Sequence, residues 1–144
     1  MPGGGDGVKL LGLDVGTKRI GVAACELAGI VVPVGVVSRG PGEIDALRRL
    51  AAERDIRKLV VGLPTGRGGT LSTQAQQVLE FARRLGDELG LPVDLWDESF
   101  STDEAEGELV AADMSRRKRR KVRDAVAAVL ILRSYVEAGG LDLR

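Results

Sequence analysis

Residues 10–24, LLGLDVGTKRIGVAA, form the first strongly apolar stretch of the chain, and they set a single carboxylate, Asp14, inside it. From Leu10 to Val15 every other position is apolar or glycine, which is the composition of a buried strand. A buried carboxylate left unpaired costs several kcal/mol or more, so Asp14 requires a partner. Gly16-Thr17-Lys18 reads as a tight turn and Arg19 to Ala24 returns to apolar character. The unit is therefore a β-hairpin with an acid at its mouth. An Asp in that place can also serve only to open the turn, and the rest of the chain has to decide between the two roles.

Working outward, Ile30 to Val37 is short and rich in β-branched residues, so it reads as a third strand, with Pro33 suited to a sheet edge. From Gly42 to about Arg54 the pattern changes: Ile44, Leu47, Leu50 and Ala51 recur at helical spacing among charged residues. Lys58 to Val61 is a fourth strand, ending at Gly62-Leu63-Pro64. A Gly-rich loop at 65–70 opens onto a helix in which Thr73 and Gln76 have capping-box spacing. Val78, Phe81, Ala82, Leu85 and Leu89 supply its apolar stripe, and Gly90 with Pro92 ends it. Such a loop can offer backbone N–H groups to a phosphate, yet it lacks the Lys-Ser/Thr ending of a P-loop and serves equally as a plain connection. Val93 to Trp96 is a fifth strand followed by Asp97-Glu98-Ser99, and Ser101 with Glu104 marks a short helix through Ala112.

This order of elements predicts an α/β fold: one five-stranded mixed sheet, antiparallel across the first three strands and parallel at the fourth and fifth, flanked by helices. In open sheets of this kind the functional crevice lies at the carboxyl ends of the parallel strands. Asp14, the Gly62-Pro64 turn and Glu98 all follow such ends. That convergence favours a functional role for Asp14 over a turn-opening one.

The chain has 144 residues, which suits one domain; the expected division is a flexible tail at 1–7, a domain at 8–138 and a second tail at 139–144. No apolar run approaches the ~20 residues of a membrane span, so no membrane partner is expected. The start MPGGGDG resembles no signal peptide, and with Cys25 as the single cysteine a reducing, cytoplasmic location is expected. Histidine is absent, which removes Ser-His-Asp and Cys-His catalysis and any His-containing zinc site. The remaining metal ligands are hard oxygens, which select Mg²⁺ or Mn²⁺. Lys plus Arg and Asp plus Glu number 21 each, so the local charge distribution carries more information than the net charge.

The second informative stretch is RRKRRKVRDAVAAVLILRSYVEAGG, residues 116–140. Seven of the eight residues from Arg116 to Arg123 are basic, and the run gives way to a helix with Val122, Ala125, Val126, Val129, Leu132 and Val136 on its apolar side. Cations in a helix's first turns oppose its dipole and repel one another, so folding alone does not favour this run; contact with phosphate does. Arg116, Arg117, Lys118, Arg119, Arg120, Lys121 and Arg123, together with Lys18 and Arg19 of the hairpin, are the candidate nucleic-acid contacts. Asp124 shares a helical face with Ala128 and Ile131, at i+4 and i+7, and is expected to face the sheet. Three inward acids, Asp14, Glu98 and Asp124, could share one or two divalent ions, bind a phosphodiester and activate water for in-line attack.

LGLDVGTKRIGVA, VVGLP, WDESFST and RRKRRKVRDAVAAVLIL, in that order and spacing, resemble the YqgF/RuvX family of bacterial ribonuclease-H-like proteins. The resemblance covers nearly the whole chain after the Gly-rich start. It implies a ribonuclease-H-like fold with Asp14, Glu98 and Asp124 as metal-binding catalytic acids. Members of that family are described as candidate Holliday junction resolvases and as nucleases maturing the 5′ end of 16S ribosomal RNA. The family commonly carries Arg after the catalytic Glu. This chain has Ser99 there, which places a phosphate contact at that position in doubt.

The reading is thus a metal-dependent nuclease acting on structured nucleic acid, branched DNA or pre-ribosomal RNA. Its alternatives are a non-catalytic nucleic-acid-binding factor and an ATP-binding domain of the actin and sugar-kinase kind, whose phosphate loop also resembles Asp-x-Gly-Thr on a hairpin. A pure binder has no reason to gather acids beside phosphate, where they repel it. A four-way junction, close to two-fold symmetric, would favour a C₂ homodimer, whereas one RNA end needs only one site.

Overall fold

The computed structural model describes residues 8–27, 29–64, 72–98 and 116–140, and within the last span the side chains of 125–139. The expected tail at 1–7, residues 141–144 of the expected tail at 139–144, the Gly-rich loop and the short helix after Ser101 lie outside the described residues; Gly139 and Gly140 close a helical turn, Val136–Gly140, that follows the last helix. The hairpin forms from Leu10–Val15 (β1) and Arg19–Leu27 (β2), in a register that sets Asp14 opposite Gly21. Ile30–Ser38 (β3) pairs antiparallel with β2 through two register shifts. Glu43–Glu53 (α1) then leads to Lys58–Leu63 (β4), Thr73–Leu89 (α2), Val93–Asp97 (β5) and Arg116–Tyr135 (α3).

The strand order is β3-β2-β1-β4-β5, with β4 parallel to both β1 and β5. This is the mixed five-stranded sheet expected, and Pro33 sits in its edge strand, where a missing N–H costs no ladder bond on the open side. Alternation along β1 and β4 sends side chains to two cores. On one face Leu11, Leu13, Val15, Leu59 and Val61 pack with Ile44 and Leu47 of α1 and Val78, Phe81 and Leu85 of α2. On the other, Leu10, Ala23, Cys25 and Val60 pack with Ala128, Val129, Ile131, Leu132 and Tyr135 of α3. Even-numbered positions of β1, Asp14 included, therefore belong to the α3 face.

Two local expectations are revised. β4 does not stop at Val61 but continues through Gly62 and Leu63, in register with Trp96 and Asp97 of β5. Glycine punctuates a sequence, yet inside a strand it also serves where another group must come close, as it does here. The cap of α2 is Ser72, whose extended backbone lets its hydroxyl accept from the Ala75 N–H at 3.1 Å; Thr73 is already helical, so the Thr73–Gln76 spacing makes no capping box. The basic run forms the first two turns of the last helix, where its cations oppose the dipole, since α3 starts at Arg116. Lys and Arg are good helix formers, and a packed second half carries a helix through the modest dipole cost at its start.

α3 sits low on the sheet because β1 has no side chain beneath it at one point. A Cβ on Gly12 would lie 2.8 Å from Leu132 Cβ and 3.3 Å from the Ala128 carbonyl oxygen, closer than packing allows. At its far end, Trp96 Nε1 of β5 donates to Ser134 Oγ at 3.0 Å, and its ring meets Tyr135 edge-on, centroids 5.4 Å apart. The helix is thereby fixed to both the centre and the edge of the sheet.

Candidate active site

Asp14 ends β1 on the α3 face, half-buried, with its antiparallel neighbour Gly21 offering no side chain beside it. Glu98 follows β5 directly. β4 lies between these two strands, and neighbouring strands are spaced at about 4.8 Å, so the carboxyls can meet only by crossing over β4. They do meet: Glu98 and Asp14 are hydrogen-bonded through their side chains. The crossing runs above Gly62, where an added Cβ would lie 3.1 Å from both Cγ and Oε1 of Glu98 and would collide with Ile131 Cδ1.

Two carboxyls in contact cannot both ionise cheaply. Burial, then the hydrogen bond that its protonated form donates to Asp14, then the charges of Asp14 and Asp97, push the Glu98 carboxyl up to about 7. A proton relieves that repulsion, and a divalent cation is the other species that does so. The donor set is all hard oxygen, which fits Mg²⁺ or Mn²⁺. Among the described residues no group of three His, Cys, Asp or Glu side chains gathers around a point, so the described part of the site is the Asp14–Glu98 pair. Asp124 occupies the α3 position one turn before Ala128, which is fully buried against the sheet; the Asp124 side chain lies outside the described residues.

Beside Asp14 a cleft of about 360 Å³ is lined by Gly16, Thr17, Lys18, Arg19, Gly21 and Ala127. Lys18 and Arg19 are exposed on its rim, so the cations of the hairpin stand next to the acid. The side chains of Arg116, Arg117, Lys118, Arg119, Arg120, Lys121 and Arg123 lie outside the described residues, as does Ser99, although the backbone places the run at the start of α3.

Two parts of this site have roles that the sequence does not show. Gly62 is expected at the crevice as part of a turn, but its role as a gap depends on side chains of residues 98 and 131. Arg39 carries no motif, yet it clamps the turn below Asp14: its Nη1 donates to the Gly16 carbonyl at 2.7 Å and its Nε to Glu43 Oε1 at 2.7 Å. Its guanidinium lies 4.8 Å from the Phe81 ring centroid, and its backbone N–H donates to the Lys18 carbonyl at 2.9 Å.

Residues 8–138 match the family model for RuvX, described as Holliday junction resolvase. A protein of Clostridioides difficile (strain 630), named as a candidate pre-16S rRNA nuclease, is 40% identical over 132 residues, spanning 90% of this chain and 94% of its own. One of Geobacillus kaustophilus (strain HTA426), named likewise, is 42% identical over 136 residues, spanning 91% and 99%. Among solved structures, Thermus thermophilus RuvC in complex with a Holliday junction substrate superposes at a TM-score of 0.60 with 15% identity, covering 93% of this chain and 98% of that one. A Fowlpox virus resolvase with Holliday junction DNA gives 0.58 at 10% identity, covering 91% and 98%. Those two likenesses establish the shared ribonuclease-H-like fold.

Proposed function

Because this chain belongs to the RuvX family and is a nuclease that hydrolyses phosphodiester bonds, we propose that Asp14, Glu98 and Asp124 are its catalytic acids and hold Mg²⁺ or Mn²⁺. The observation that carries the assignment is the side-chain contact of Asp14 with Glu98 across Gly62, at the carboxyl ends of β1 and β5 and under α3. A divalent ion held there supplies Lewis-acid polarisation of the phosphodiester and an acidified water. The chain's own residues do the rest. The Asp14–Glu98 bond keeps two carboxylates preorganised, the Arg39 clamp holds the hairpin turn, and Lys18, Arg19 and the cations from Arg116 to Arg123 bind the flanking phosphates. No side-chain general base is required, which suits a chain without histidine.

The preferred substrate is the 5′ end of pre-16S ribosomal RNA, in the cytoplasm. Relatives near 40% identity over about nine-tenths of the chain, named as candidate pre-16S rRNA nucleases, support this choice. A second reading, four-way DNA junctions, is favoured by the family's description and carries a C₂ homodimer with it, since coordinated nicking of two like strands needs two sites. Incubating the purified protein with Mn²⁺ and either pre-16S rRNA or a branched DNA tests the choice. Cleavage of the RNA at its 5′ side with the junction left intact is the result expected; the reverse pattern would replace the first reading with the second.

A further inference from the structure

We propose that Gly62 is a positioning residue: by leaving the α3 face of β4 bare it lets Glu98 reach Asp14, and so sets the affinity of the acid pair for a divalent cation. This rests on Asp14 and Glu98 being cation ligands.

The argument is one of space. β4 separates the strands that carry the two acids, and Gly62 is paired with Trp96 at the level where Glu98 leaves β5. Gly62 is buried, between the sheet and α3. The volume a side chain at 62 would fill is already taken by two groups, the Glu98 methylene with its Oε1 and the Ile131 terminal methyl. Ile131 itself is 1% exposed and belongs to the α3 core. A methyl at 62 therefore acts in two directions. It forces Ile131 out of its seat, which is a packing effect, and it presses on Glu98 at 3.1 Å, which moves a ligand by a few tenths of an ångström.

The two effects separate by mutation. Ile131→Val removes the Cδ1 that a Cβ at 62 would strike while keeping the branched stem. We expect Gly62→Ala to lower Tm and to weaken Mn²⁺ binding, followed by titration calorimetry, about ten- to a hundred-fold, the range for mispositioned metal ligands. Ile131→Val alone should leave Mn²⁺ affinity within about twofold. The double variant Gly62→Ala/Ile131→Val should regain most of the lost Tm and keep the weakened Mn²⁺ binding, a division that a purely structural role would not produce. Wild-type Mn²⁺ affinity in the double variant would overturn the role given to Gly62. Wild-type affinity in Glu98→Gln would instead overturn the ligand assignment beneath it, so the two failures are distinguishable.

Discussion

At the residue scale the α3 face carries a second polar group, remote from the acids. Lys58 Nζ donates to Asp94 Oδ2 at 2.9 Å and lies 3.4 Å from the Tyr135 hydroxyl, which itself donates to Asp94 Oδ2. Burial opposes the charge on Asp94, but the hydrogen bonds from Tyr135 and Lys58 and the Lys58 charge outweigh it and lower its carboxyl below the ordinary 3.8. A carboxylate depressed by folding contributes stability that is complete above its unfolded value and is lost as pH falls through the folded one. The Tm gap between the wild type and Asp94→Asn should therefore be open at pH 7 and close as the pH drops below 3.8; melts across that range check it, and a gap independent of pH would contradict the charge pairing. Nothing in the sequence announced this trio, since its members stand 36 to 77 residues apart on three elements. Asp14 was legible for the opposite reason: one charge in an apolar strand is anomalous within its own hexapeptide. Gly62 was not, because a glycine states only what it lacks, and the groups that require the gap are supplied by β5 and α3.

At the element scale, strand and helix placement followed from periodicity, and the errors fell at ends, where a single side chain decides. The cap of α2 is one such case. Ser72→Ala removes the acceptor for the Ala75 N–H and should cost about 1 kcal/mol in urea unfolding, with the denaturant slope unchanged; no loss would contradict the cap. α3 carries a division of labour along its length. Its second half is anchored through Ala128, Ile131, Leu132 and Tyr135, and Asp124 stands eleven positions before Tyr135, about 16 Å along the axis. The anchored half therefore aims the cationic half. Replacing Arg116, Arg117 and Arg120 by Ala should weaken binding to all duplex or structured substrates alike and flatten the dependence of log affinity on log salt by about 0.9 unit per lost duplex contact. An unchanged slope would mean that these cations do not meet phosphate.

At the scale of the whole molecule, a sheet with helices on both faces leaves the carboxyl ends of β1, β4 and β5 as the place where separate elements can each contribute one acid. The Asp14 and Glu98 carboxyls meet there across β4, and Asp124, the third acid of the proposal, belongs to α3, the helix packed on the same face. The proposed site needs no histidine and no cysteine, only hard oxygens brought close together. The central claim, that these three acids form one metal-dependent hydrolytic site, is tested most directly by Asp14→Asn assayed for cleavage in saturating Mn²⁺ alongside its Tm and its affinity for uncleaved substrate. The account predicts cleavage lowered at least about a thousandfold, with Tm and substrate affinity close to the wild type, since an active-site carboxylate serves transition-state rather than ground-state binding. Full cleavage by Asp14→Asn under those conditions would contradict it.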